Sequence, residues 1–117
     1  MILHIDLGNQ SLTNWLRDNR YIIYSELIRF CKKMINEKLD MLQAIMVSNL
    51  ADNVVFVLKK ENLHITMGKA MDYFLEEEEY EKCAEIRDLE ILIQKSQNES
   101  KNTKNSVRIK GTRAGNG

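Results

Sequence analysis

NVVFVLKKENLHITM, residues 53–67, is the stretch on which the fold turns. Its first half is β-branched and aromatic, and Leu63, Ile65 and Met67 then alternate with His64 and Thr66. A β-hairpin bent at KKEN is one reading. A helix from Asp52, closed by a turn at Lys60–Asn62, is the other. Short apolar runs satisfy either period. Because the flanking segments carry helical spacing, the expectation is helix across this stretch, with the β-hairpin as the alternative.

The flank before it is the clearest. Tyr24, Leu27, Ile28, Cys31, Met34, Ile35, Leu39, Leu42, Ile45 and Met46 recur mostly at steps of three and four, with Arg29, Lys32, Lys33, Glu37 and Lys38 between them. That is an amphipathic helix, running to about Asn49 or breaking near Asn36. Further upstream, Leu3, Ile5 and Leu7 alternate with His4 and Asp6, a short strand pattern closed by Gly8-Asn9. Ser11 then makes a good cap for a short helix carrying Leu12, Trp15 and Leu16.

Downstream, from Thr66 to about Gln97, the spacing is helical again. Met67, Ala70, Met71, Phe74 and Leu75 form one face, and Tyr80, Cys83, Ala84, Ile86, Leu89 and Ile93 another. The four glutamates Glu76–Glu79 separate the two. They suit the solvated apex of an antiparallel helical hairpin and the first turn of its second helix, where negative charge complements the helix dipole.

A chain of 117 residues with 44% apolar content can bury one core. It contains no proline, so nothing forces a helix to break. The expected fold class is therefore mainly α: one helical domain over 1–97, ending in an antiparallel helical hairpin at 67–97. Its only β content would be a short strand at 1–7 or the hairpin at 53–67. The remainder, 98–117, offers only Val107 and Ile109 for burial among Asn, Ser, Lys and Gly, and reads as a flexible basic tail.

Zero net charge hides an asymmetry. Residues 61–93 hold 3 Lys/Arg against 10 Asp/Glu, whereas 98–117 hold 5 against 1. The N-terminal MILHIDLG lacks a basic leader, and no apolar run approaches the ~20 residues that span a bilayer. A cytoplasmic protein away from membranes is expected. Cys31 and Cys83, far apart and without CxxC spacing, read as reduced, buried thiols.

Within the hairpin, Met71 and Phe74, followed by YEKCAEIRD at 80–88 and then Leu89, resemble the UVR motif of the bacterial excision-repair subunits UvrB and UvrC, with similar copies in some Clp ATPases and their adaptors. Phe74 and Leu75 stand where that family has small residues, and Glu78 where it has an aliphatic one. The resemblance spans about 30 residues and none of the first 60, so it implies no repair chemistry. It implies a helical hairpin, coiled-coil-like, that pairs with itself or with the same motif on a partner. The residues it implies for that contact are Met71, Phe74, Tyr80, Cys83, Ala84, Ile86, Arg87, Asp88 and Leu89. The function expected is that of a non-enzymatic adaptor or regulatory protein, bacterial or phage. Its expected partner is another protein, such as one containing a UVR motif, or a second copy of the chain.

The alternative is a nucleic-acid-binding regulator that dimerises through its helices and uses the arm Lys101, Lys104, Arg108, Lys110 and Arg113 on phosphates. That arm has no interleaved aromatics for base stacking, so such binding would be weak. No catalytic residues, metal ligands or cofactor are expected. Consecutive helical glutamates diverge around the axis instead of converging on a cation. His4 and His64 lack ligand spacing, and the five glycines are too scattered to form a phosphate loop.

Overall fold

Lys38 decides the architecture. A computed structural model describes residues 2–116, with side chains described over 2–98. In it, helix α2 (Arg20–Glu37) does not continue to Asn49. Lys38 takes the left-handed conformation, φ 55° and ψ 45°, and its N–H donates to the Ile35 carbonyl while Leu39 N–H donates to that of Met34. This pair of bonds is a Schellman stop. It is built on a residue whose side chain makes the left-handed region cost on the order of 1 kcal/mol.

Beyond this stop the chain turns to sheet. Strand β2 (Met41–Ser48) pairs antiparallel with β3 (Asn53–Lys59), and β1 (Leu3–Asp6) lies parallel to β2 on its other side, giving the order β1-β2-β3. The fold is thus an α+β mixture with a three-stranded mixed sheet, and the mainly α expectation is corrected on two counts. Residues 53–59 form a strand, not a helix, and their partner is 41–48, not the Leu63–Met67 run. Residues 41–48, read as the end of the long helix, are the central strand.

The ladder shows why the central strand reads as helical. Its register shifts between Gln43 and Ile45, leaving Ala44 as an extra residue. A bulge of this kind breaks strict alternation, so Leu42, Ile45 and Val47 all reach the core side at steps of three and two. Ala44 and Ile45 are buried in succession.

The remaining elements cover one face of the sheet. After β1, Gly8 turns the chain at φ 63°, with its N–H donating to Asp6 Oδ1 at 3.0 Å. Helix α1 (Leu12–Asp18) begins at Ser11, whose Oγ accepts from Asn14 N–H. A 3-10 turn at Lys60–Asn62 leads into α3 (Leu63–Glu76), and α4 is the final helix, Tyr80–Asn116. Helix α2 packs on β2 and against both α3 and α4.

The core beneath them gathers Ile28, Met34, Ile45, Val47, Leu58, Met67, Phe74 and Ile86. The opposite face of the sheet carries His4, Met46, Val55 and Val57, with His4 Nε2 3.0 Å from Ser48 Oγ. The flexible-tail reading of 98–117 falls almost wholly on residues whose side chains lie outside the described ones.

Candidate interaction surface

Helices α3 and α4 meet at a turn over Glu77–Glu79. Glu78 sits at φ 58°, Glu78 N–H donates to the Leu75 carbonyl at 3.1 Å and Glu79 N–H to that of Phe74 at 2.8 Å. This is a second Schellman stop on a charged residue, and it releases the chain into α4 within three residues.

Burial divides the nine residues drawn from the UVR resemblance. Phe74, Cys83, Ile86 and Leu89 lie inside the fold, and Met71 packs partly buried against them. Tyr80, Ala84, Arg87 and Asp88 are not enclosed: all four are exposed. Cys83, Ile86, Leu89 and Ile93 therefore form the stripe by which α4 adheres to its own chain. The other side of the helix is open. Tyr80, Ala84, Arg87 and Ile91 recur there at steps of four, three and four, with Tyr80 63% and Ile91 61% exposed. Ile91 is absent from the residues that the motif picks out. Its signal is that Leu89, Ile91, Leu92 and Ile93 are more apolar side chains than one buried stripe can hold.

Few ion pairs form around this side. Lys32 Nζ reaches Glu85 Oε2 at 3.0 Å, tying α2 to α4, and Lys82 approaches Glu85 at 3.9 Å. Exposed pairs of this kind contribute about 0–1 kcal/mol each. Among the described residues, Arg87 and Asp88 make no ion pair.

A groove also runs between α2 and α4, and nothing in the periodicity announces it. Its larger part, about 430 Å³, is floored by Met34, Ile35, Leu39, Leu63, Leu92 and Ile93 and edged by Lys38, Lys60 and Lys95. A smaller part of about 280 Å³ continues past Ile35 and Leu92 towards Asp88.

Other sequence candidates are dispersed. Cys31 is buried, whereas His64 is exposed at the start of α3, and Cys31 and Cys83 are both free thiols. Among the described residues no three His, Cys, Asp or Glu side chains could share a metal ion, and no helix is long and apolar enough to cross a membrane. Lys101, Lys104, Arg108, Lys110 and Arg113 lie outside the residues whose side chains are described.

Burial pushes the Cys31 thiol from its ordinary 9.0 up to about 11. The folded chain then holds a proton that the unfolded chain releases above pH 9. This contribution is fully present below pH 9 and is lost as pH rises towards 11, amounting to roughly 2–3 kcal/mol. Tyr73 adds to the same trend. Burial and then Glu77 raise its pKa, against the opposing effect of Arg20. Urea unfolding across pH 8–11 should show declining stability, with a shallower decline in Cys31→Ala; equal slopes in the two proteins would contradict the assignment.

Compared with known proteins, the chain matches no family model, no curated sequence and no solved structure.

Proposed function

We propose that this chain is a protein-interaction module that docks a helical hairpin from a partner protein along the outer side of α4. One observation carries the reading. Tyr80 and Ile91 are each more than 60% exposed, two large apolar side chains aligned with Ala84 and Arg87 on the side of α4 that its own fold leaves uncovered. Aromatic and arginine side chains supply most of the energy in protein interfaces. Ala84 between them permits close approach of a second helix. The resemblance of YEKCAEIRD to the UVR motif supports a hairpin as the occupant, since that motif is an assembly element.

The buried stripe of Cys83, Ile86 and Leu89 takes a different part in this scheme. It holds α4 in place, and the outer side meets the partner. Arg87→Glu should weaken binding of a UVR-type hairpin peptide about fivefold or more, as expected of an interface arginine. Folding stability should stay within about 0.5 kcal/mol of wild type, because Arg87 is a surface residue. Fluorescence anisotropy with the labelled peptide, alongside urea unfolding, reads both quantities. Unchanged affinity in Arg87→Glu, or no binding of the peptide by the wild type, would overturn the reading.

A further inference from the structure

The two poles of this domain carry opposite charge. At one, the turn between α3 and α4 presents Glu76, Glu77, Glu78 and Glu79 beside Leu75, which is 48% exposed. Arg20, stacked over Tyr73, and Lys82 offset only part of that charge. At the other pole lies the apolar groove edged by Lys38, Lys60 and Lys95, with Glu37 (paired to Lys33), Asp40 and Glu61 as the acids nearest in sequence. Among the described residues Lys38 and Lys95 make no ion pair.

We propose that the acidic turn of one copy inserts Leu75 into the lysine-edged groove of a second copy, so that the protein self-associates head to tail. Sign is complementary, glutamates against lysines, which steers encounter and fixes orientation. Shape agrees in kind: the turn offers an exposed leucine framed by acids, and the groove offers an apolar floor framed by cations.

Reach excludes the intramolecular alternative. Helix α3 runs from Leu63, at the groove, to Glu76, at the turn. Its 14 residues separate the two by about 20 Å at 1.5 Å per residue. A chain cannot fold its own turn into its own groove. The contact is heterologous, so it propagates into chains or closes as a ring. It uses none of Tyr80, Ala84, Arg87 or Ile91 and stands independently of docking on the outer side of α4.

Charge reversal at each pole tests it by light scattering. Wild type should show a mass that grows with protein concentration and falls back towards the monomer near 1 M salt, where screening acts within about 3 Å. Lys38→Glu/Lys95→Glu and Glu77→Lys/Glu78→Lys, each folded by circular dichroism, should both remain monomeric alone. Mixed, they should associate again, because the intact turn of one variant meets the intact groove of the other and the two charge-reversed poles are complementary in sign as well. Arg87→Glu should associate like wild type. The proposal is overturned if wild type stays monomeric, if either double variant still associates alone, if the mixture stays monomeric, or if Arg87→Glu abolishes the growth in mass.

Discussion

Phe74→Ala is expected to destabilise the fold by about 3–5 kcal/mol, the range for removing a fully buried aromatic ring. Phe74 is completely enclosed near the C-terminal end of α3. Its ring meets Tyr73 at 5.1 Å, Tyr21 edge-on at 5.6 Å and Tyr24 at 6.4 Å between centroids. Such edge contacts add about 0.5–1.5 kcal/mol to simple burial. The ring thus joins the start of α2 to the end of α3, and two rigid helices cannot both collapse into the space it would leave. Against a total stability of about 5–15 kcal/mol, the loss should shift the urea midpoint far down and leave a measurable unfolded fraction. A loss below about 1 kcal/mol would mean that the ring is not enclosed.

Ile86→Ala should cost about 2–5 kcal/mol, and the manner of the loss matters as much as its size. Ile86 lies in the middle of the stretch that resembles the UVR motif, yet it is buried within its own chain. Its neighbours on the same stripe, Cys83 and Leu89, are buried with it. Truncation should therefore lower stability equally at low and high protein concentration, since burial inside one chain involves no mass action. Were the residue buried by a partner copy instead, the penalty would change with concentration. Urea unfolding of Ile86→Ala and of wild type over a wide span of concentrations separates the cases, and a difference between their midpoints that changes with concentration would contradict the placement.

The helical hairpin and the sheet differ in how far the sequence discloses them. Cys83, Ile86, Leu89 and Ile93 keep an unbroken three- and four-residue rhythm, and the glutamates mark the bend between α3 and α4, so that region is legible. The central strand is not. A bulge at Ala44 replaces alternation with the step of three that helices use. The stop before it carries no glycine or proline, because Lys38 fills the left-handed position. With both signals disguised, the apolar rhythm of α2 runs on through Met46 although the helix does not.

Residues 53–59 then inherit the error, since a strand has no meaning until its partner is known. The exposed side of α4 is half legible: Tyr80, Ala84 and Arg87 stand in the motif, whereas Ile91 is identified only by the burial of its neighbours. The groove depends on α2 stopping at Glu37, and periodicity alone does not give that.

The pairing of β1 with β2 bears on how the molecule is made. Leu3 sits opposite Ile45 and Asp6 opposite Ser48, with the whole of α1 and α2 between them. During folding β1 must wait for both helices and the central strand before its ladder with β2 can close. The neighbouring β2–β3 ladder closes across only Asn49–Asp52, and a short connection costs much less chain entropy. By this argument β1 is among the last elements to become native. Until then the free side of β2 is an open template, the kind of unpaired edge that recruits strands from neighbouring nascent chains.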